Sequence, residues 1–60
     1  MVKAGDRVIV VTYGGAVLFG KVIAADDKNI TLKLRGRRVA TINLDTVKEL
    51  WVLGEAEEVK

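Results

Sequence analysis

Four cations, Lys33, Arg35, Arg37 and Arg38, fall within six residues around a single glycine, Gly36. Such a cluster attracts phosphates, and each arginine fork can hold two oxygens of one phosphate. It is equally the composition of a solvated hairpin end, and charge alone says nothing about which sequence a ligand has. A second polar group stands upstream, Asp26-Asp27-Lys28-Asn29. Aspartate and asparagine side chains bond their own backbone a few residues on, so this stretch reads as a turn. Asp26 and Asp27 make a poor acid–base pair, because neighbouring strand residues point to opposite faces.

The chain contains no histidine, cysteine or serine. The usual nucleophiles and the usual general base are missing, and a metal would have to be held by carboxylates alone. The expectation is a protein that is not an enzyme and needs no cofactor or metal. Net charge is +2, which decides little, but its distribution is uneven. Residues 1–40 hold eight Lys or Arg against three Asp, a balance of +5, whereas residues 41–60 hold two Lys against five acids, a balance of −3. An acidic tail, 55–60, therefore follows a basic domain, 1–54.

Sixty residues allow one domain. A chain this short buries only about 60% of the surface its unfolded form exposes, so an isolated monomer is marginal. With no cysteine to staple the fold, self-association is the remaining remedy. No apolar run approaches the ~20 residues that span a bilayer, and the first residues lack the apolar stretch of a signal peptide. A soluble, cytoplasmic protein without a membrane partner is expected.

The elements that must carry the polar groups are short. Residues 7–13 are dense in β-branched and aromatic types, the composition of a strand, and Gly14-Gly15 breaks it. Residues 17–25 form a second run interrupted by Gly20, where a glycine in a strand marks a bulge, a bend or a close backbone approach. Ile30, Leu32 and Leu34 alternate with Thr31, Lys33 and Arg35, a half-buried strand with one clear inner face. Arg35-Gly36 then turns the chain into a fourth strand over 37–42, in which Arg38, Ala40 and Ile42 oppose Arg37, Val39 and Thr41 and either set suits the core. Residues 43–46 suit a turn or a single 3₁₀ turn, and 47–53 a last strand. A helix over 44–53, capped by Asp45, competes with that strand. Five short strands predict an all-β fold, a small five-stranded barrel.

The first and last strands carry apolar residues on both faces, Val8 and Val10 against Ile9 and Val11, then Leu50 and Val52 against Trp51 and Leu53. One face fills the core and the other needs a cover. Proline is absent and the last strand has its charges, Lys48 and Glu49, at one end only, so the usual means of blunting sheet edges are scarce. Pairing of edge strands between subunits answers both needs.

The segment 20–32, with Gly20, Val22, Asp26, Asn29, Ile30 and Leu32, resembles the first signature motif of the Sm-like (Sm/LSm/Hfq) proteins. The resemblance covers about residues 8–34, and 39–53 is similar to the second motif in hydrophobic pattern alone. It implies a barrel of the Sm-like or Src-homology-3 type, assembly into a homo-oligomeric ring, and binding of single-stranded RNA. Asp26 would order the turn and Asn29 contact base or sugar, while Lys28, Lys33, Arg35, Arg37 and Arg38 attract phosphates. Asn43-Leu44 stands where the family has an Arg-Gly. Ring assembly would pair the fourth strand of one subunit with the fifth of the next, through Arg38, Val39, Ala40 and Ile42 on one side and Leu50, Trp51, Val52 and Leu53 on the other.

Two other readings stay open. Gly5-Asp6-Arg7-Val8-Ile9-Val10 followed by Gly20-Lys21-Val22 is similar to the opening of KOW-type barrels, ribosome- or transcription-associated modules that bind nucleic acid. Small barrels also serve as oligomeric protein-interaction modules with no nucleic-acid role.

Overall fold

The computed structural model describes residues 2–55, with side chains for 2–54. Alternation sets the first strand: Asp6, Val8 and Val10 of β1 (Asp6–Thr12) are buried while Arg7 between them is exposed. β2 (Val17–Ala25), β3 (Asn29–Lys33) and β4 (Val39–Asn43) follow, then a 3₁₀ turn (Leu44–Thr46) and β5 (Val47–Glu55). All the strands pair antiparallel in one sheet, in the order β4-β3-β2-β1-β5. The rest of the expected acidic tail, 56–60, lies outside the described residues.

β2 belongs to two ladders in turn. Its first half, up to Lys21, pairs with β1, and from Lys21 onward it pairs with β3. A register shift between Val22 and Ala24 adds twist at that crossing. The curved sheet wraps a core of Val8, Val10, Val22, Ile30, Leu32 and Ile42, with Val2, Leu18, Leu34, Leu44 and Val47 packed around it. Each fully buried aliphatic side chain contributes about 1.5–3 kcal/mol, so this small core leaves little margin. The Cα radius of gyration is 11.0 Å.

Antiparallel and five-stranded, with no α-helix among the described residues, the fold is of the expected all-β class, but no ladder joins β4 to β5 among those residues, so the sheet is open. β4 and β5 are its two edges. β4 begins at Val39, two residues later than expected, because residues 34–38 form a loop closed by the Leu34 N–H donating to the Arg38 carbonyl at 2.8 Å, with Gly36 at φ +72°. The inner face of β4 is the one carrying Ala40 and Ile42, which stand opposite Leu32 and Ile30. On the other face the Thr31 and Thr41 hydroxyls meet at 3.2 Å.

The helical alternative over 44–53 gives way to the ladder between β5 and β1. Only Leu44–Thr46 turn, with Asn43 as cap: its Oδ1 accepts from the Asp45 N–H at 2.8 Å, and the Thr46 hydroxyl donates to the Asn43 carbonyl at 2.7 Å. Among the described residues no helix is long and apolar enough to cross a membrane.

Candidate nucleic-acid interface

Turn 26–29 is built by one carboxylate. Asp26 Oδ1 accepts from the backbone N–H of Lys28 and of Asn29, each at 2.8 Å, and the Asp26 N–H donates to the Asn29 carbonyl at 2.9 Å. Those donors, Lys28 first and Asn29 second, hold the Asp26 carboxyl below its ordinary value against a slight opposing desolvation. The Lys28 carbonyl in turn accepts from the Leu44 N–H at 2.8 Å, which ties the turn to the 3₁₀ turn beyond β4. Lys28 is exposed and Asn29 half-buried, and Asn29 stands opposite Asn43 at the end of the β3–β4 ladder. A shallow hollow of about 270 Å³ lies over these four residues. Among the described residues no group of three or more His, Cys, Asp or Glu is placed to hold a metal.

The cations divide from this turn. Lys33 ends β3, and Arg35, Arg37 and Arg38 lie in loop 34–38, all exposed. The length of β3, roughly 15 Å, separates them from Asp26, Lys28 and Asn29. The residues read together from the sequence thus lie at opposite ends of β3.

What the sheet does bring together is a different set. Lys33 stands opposite Lys21 and Lys21 opposite Arg7, so three cations on adjacent strands share one row of the outward face. Arg35 joins Arg7, Lys21, Phe19 and Gly20 around a cleft of about 520 Å³. One row further, Ile9 lies between Phe19 and Trp51. Phe19 is 60% and Trp51 58% exposed, although both belong to strands that border the core. The Trp51 Nε1–H donates to Glu49 Oε1 at 3.2 Å. Such a surface offers forked donors and ammonium groups for phosphates beside flat apolar rings.

Arg7, Lys21 and Phe19 are absent from the set read in the sequence. The signal for them is register: a hairpin turning at Gly14-Gly15 that pairs Val11 with Val17 also pairs Ile9 with Phe19 and Arg7 with Lys21. The residues expected at the subunit interface fall on the two edges. Val39, Ala40 and Ile42 lie in β4, and Leu50, Trp51, Val52 and Leu53 lie in β5. Arg38 sits in the loop before β4. Val39, Val52 and Leu53 are half or more exposed, whereas Ile42 is spent in the core.

Comparison with family models, curated proteins and solved structures finds no match. The resemblance to the Sm-like proteins accordingly stays one of sequence, over about residues 8–34.

Proposed function

We propose that the chain is an RNA-binding protein of the small-barrel type that works as a homo-oligomeric ring in the cytoplasm, taking single-stranded RNA at turn 26–29. The observation that carries this reading is the use of Asp26. Its carboxylate is committed to the turn's own backbone, so its task is to hold Lys28 and Asn29 at the end of the sheet. An ammonium beside an amide in a preordered turn suits a phosphate next to an exposed base edge, which single strands offer and duplexes do not. Arg35, Arg37 and Arg38 of loop 34–38 contribute phosphate attraction at the other end.

Assembly is supported by the strand order. β4 and β5 are the two edges of one sheet, and a β4-to-β5 contact between copies is head-to-tail, the kind that gives a ring where the rotation closes and a filament where it does not. Residues 38–42 of one copy would meet 50–53 of the next, covering Val39, Leu50, Val52 and Leu53. Such pairing would extend the sheet from copy to copy and satisfy both exposed edges.

Two measurements test the reading together. Native mass spectrometry should give a closed oligomer, and Lys28→Ala with Asn29→Ala should weaken binding of a short oligouridylate by about tenfold or more, as loss of one charge-assisted contact and one base contact predicts. A monomer whose RNA affinity ignores both substitutions would sink the proposal. A monomer that binds RNA would favour the KOW-type alternative.

A further inference from the structure

Folding alone does not account for the cations on the outward face. Arg7, Lys21 and Lys33 stand directly opposite one another on three adjacent strands, an arrangement that weakens a sheet. The row ends in Val39 on one side and Gly54 on the other, neither of which supplies a carboxylate. Arg35 adds a fourth cation at the cleft. Beside this charge lie two exposed aromatic rings, Phe19 and Trp51, on either side of Ile9 and roughly 10 Å apart across the strands.

We propose that the cleft between Phe19 and Arg35, with the adjoining row to Trp51, is a second binding surface for single-stranded nucleic acid. Phe19 and Trp51 stack on bases, and Arg7, Lys21, Lys33 and Arg35 take phosphates. The class of ligand rests on the RNA-binding reading above, but the site does not, since it lies at the other end of β3 from turn 26–29.

Charge selects the occupant. A second copy laid face to face would bring its own four cations over the same patch, because a two-fold contact pairs a surface with itself. A polyanion instead relieves the repulsion within the row and releases counterions as it binds. The rings select a single strand, since stacking on protein aromatics needs bases already free of a duplex and tolerates any sequence. The indole N–H of Trp51 is already engaged by Glu49, so what that residue offers is its ring rather than a donor.

The test is fluorescence anisotropy of labelled oligouridylate and oligothymidylate with the full chain across a salt series, in parallel with light scattering. Three variants are compared: Phe19→Leu, which keeps an apolar side chain and removes the stacking face; the double Arg7→Gln, Lys21→Gln; and Lys28→Ala with Asn29→Ala at the turn. All the substituted side chains are exposed or half-buried, so circular dichroism should show the fold retained. Phe19→Leu should weaken binding about fivefold or more, and the double variant should reduce the slope of log affinity against log salt by about 1.4, the value for two phosphate contacts on a single strand. If both leave affinity and slope unchanged while the turn variant weakens binding, the cleft is not a site and the turn reading stands. If the cleft variants weaken binding and the turn variant does not, the turn reading falls and the cleft stands. No binding of either probe by the unsubstituted chain overturns both. An oligomer that dissociates on Phe19→Leu with unchanged affinity assigns this face to self-contact and overturns the proposal.

Discussion

The carbonyl oxygen of Lys33 lies 2.6 Å from the point where a Cβ on Gly20 would stand, and the Leu34 Cδ2 lies 3.2 Å from it. Glycine is what allows β2 to leave β1 and join β3 at this crossing. Because the obstacle is backbone, no rotamer change relieves it. Gly20→Ala should destabilise the protein by about 1–3 kcal/mol, as overpacking does. Gly14→Ala serves as the control, since its Cβ would meet only the Thr12 hydroxyl at 3.9 Å. Urea denaturation at fixed protein concentration checks the pair, and equal midpoints for the two variants would contradict this account of the bend.

Asp26 makes the stability of the turn depend on acid. Its folded-state pKa is lowered by the Lys28 and Asn29 N–H groups, so its contribution is present above the unfolded value of about 3.9 and is lost as pH falls through the lower folded value. Asp26→Asn keeps an acceptor and removes the charge. The variant should therefore show a shallower fall of stability below about pH 4, with near-parallel behaviour at neutral pH. Superimposable pH profiles in thermal melts would remove the charge from the account.

Edge pairing predicts a separation of stability from assembly. Val39 on β4 and Val52 on β5 are each more than half exposed in a single copy. Val39→Glu, which faces Lys33, or Val52→Lys should change monomer stability by no more than about 0.5 kcal/mol, the usual range for exposed positions. Either should nevertheless reduce the mass found by light scattering to that of a monomer. A mass unchanged by both substitutions would place the subunit contact elsewhere.

Leu32 is fully buried between Val22 on β2 and Ala40 on β4. Leu32→Ala should cost about 2–5 kcal/mol. A domain this small holds only a few kcal/mol in all, so loss of the cooperative thermal transition is the expected outcome. A melt close to that of the unsubstituted chain would mean that assembly, rather than this core, supplies most of the stability.

These features differ in how plainly the chain announces them. The bounds of β2, the inner face of β3 at Ile30 and Leu32, and the turn at Leu44–Thr46 follow from composition and alternation, which act over a few residues. The inner face of β4 does not, because Arg38, Ala40 and Ile42 are as mixed as Arg37, Val39 and Thr41; only the pairing of Ile42 with Ile30 decides it. The candidate site was half legible. Asp26 and its turn are local and readable, whereas the neighbourhood of Lys33 depends on two registers that place Lys21 and then Arg7 beside it. Nearness in sequence grouped Asn29 with Arg35, and the length of β3 parts them.

The most direct test of the central claim is a salt titration of oligouridylate binding by the full chain. Binding should be measurable at low salt, with a slope of log affinity against log salt of about −2 or steeper, the release expected from three or more phosphate contacts on a single strand. No binding at low salt, or an affinity indifferent to salt, would contradict the claim.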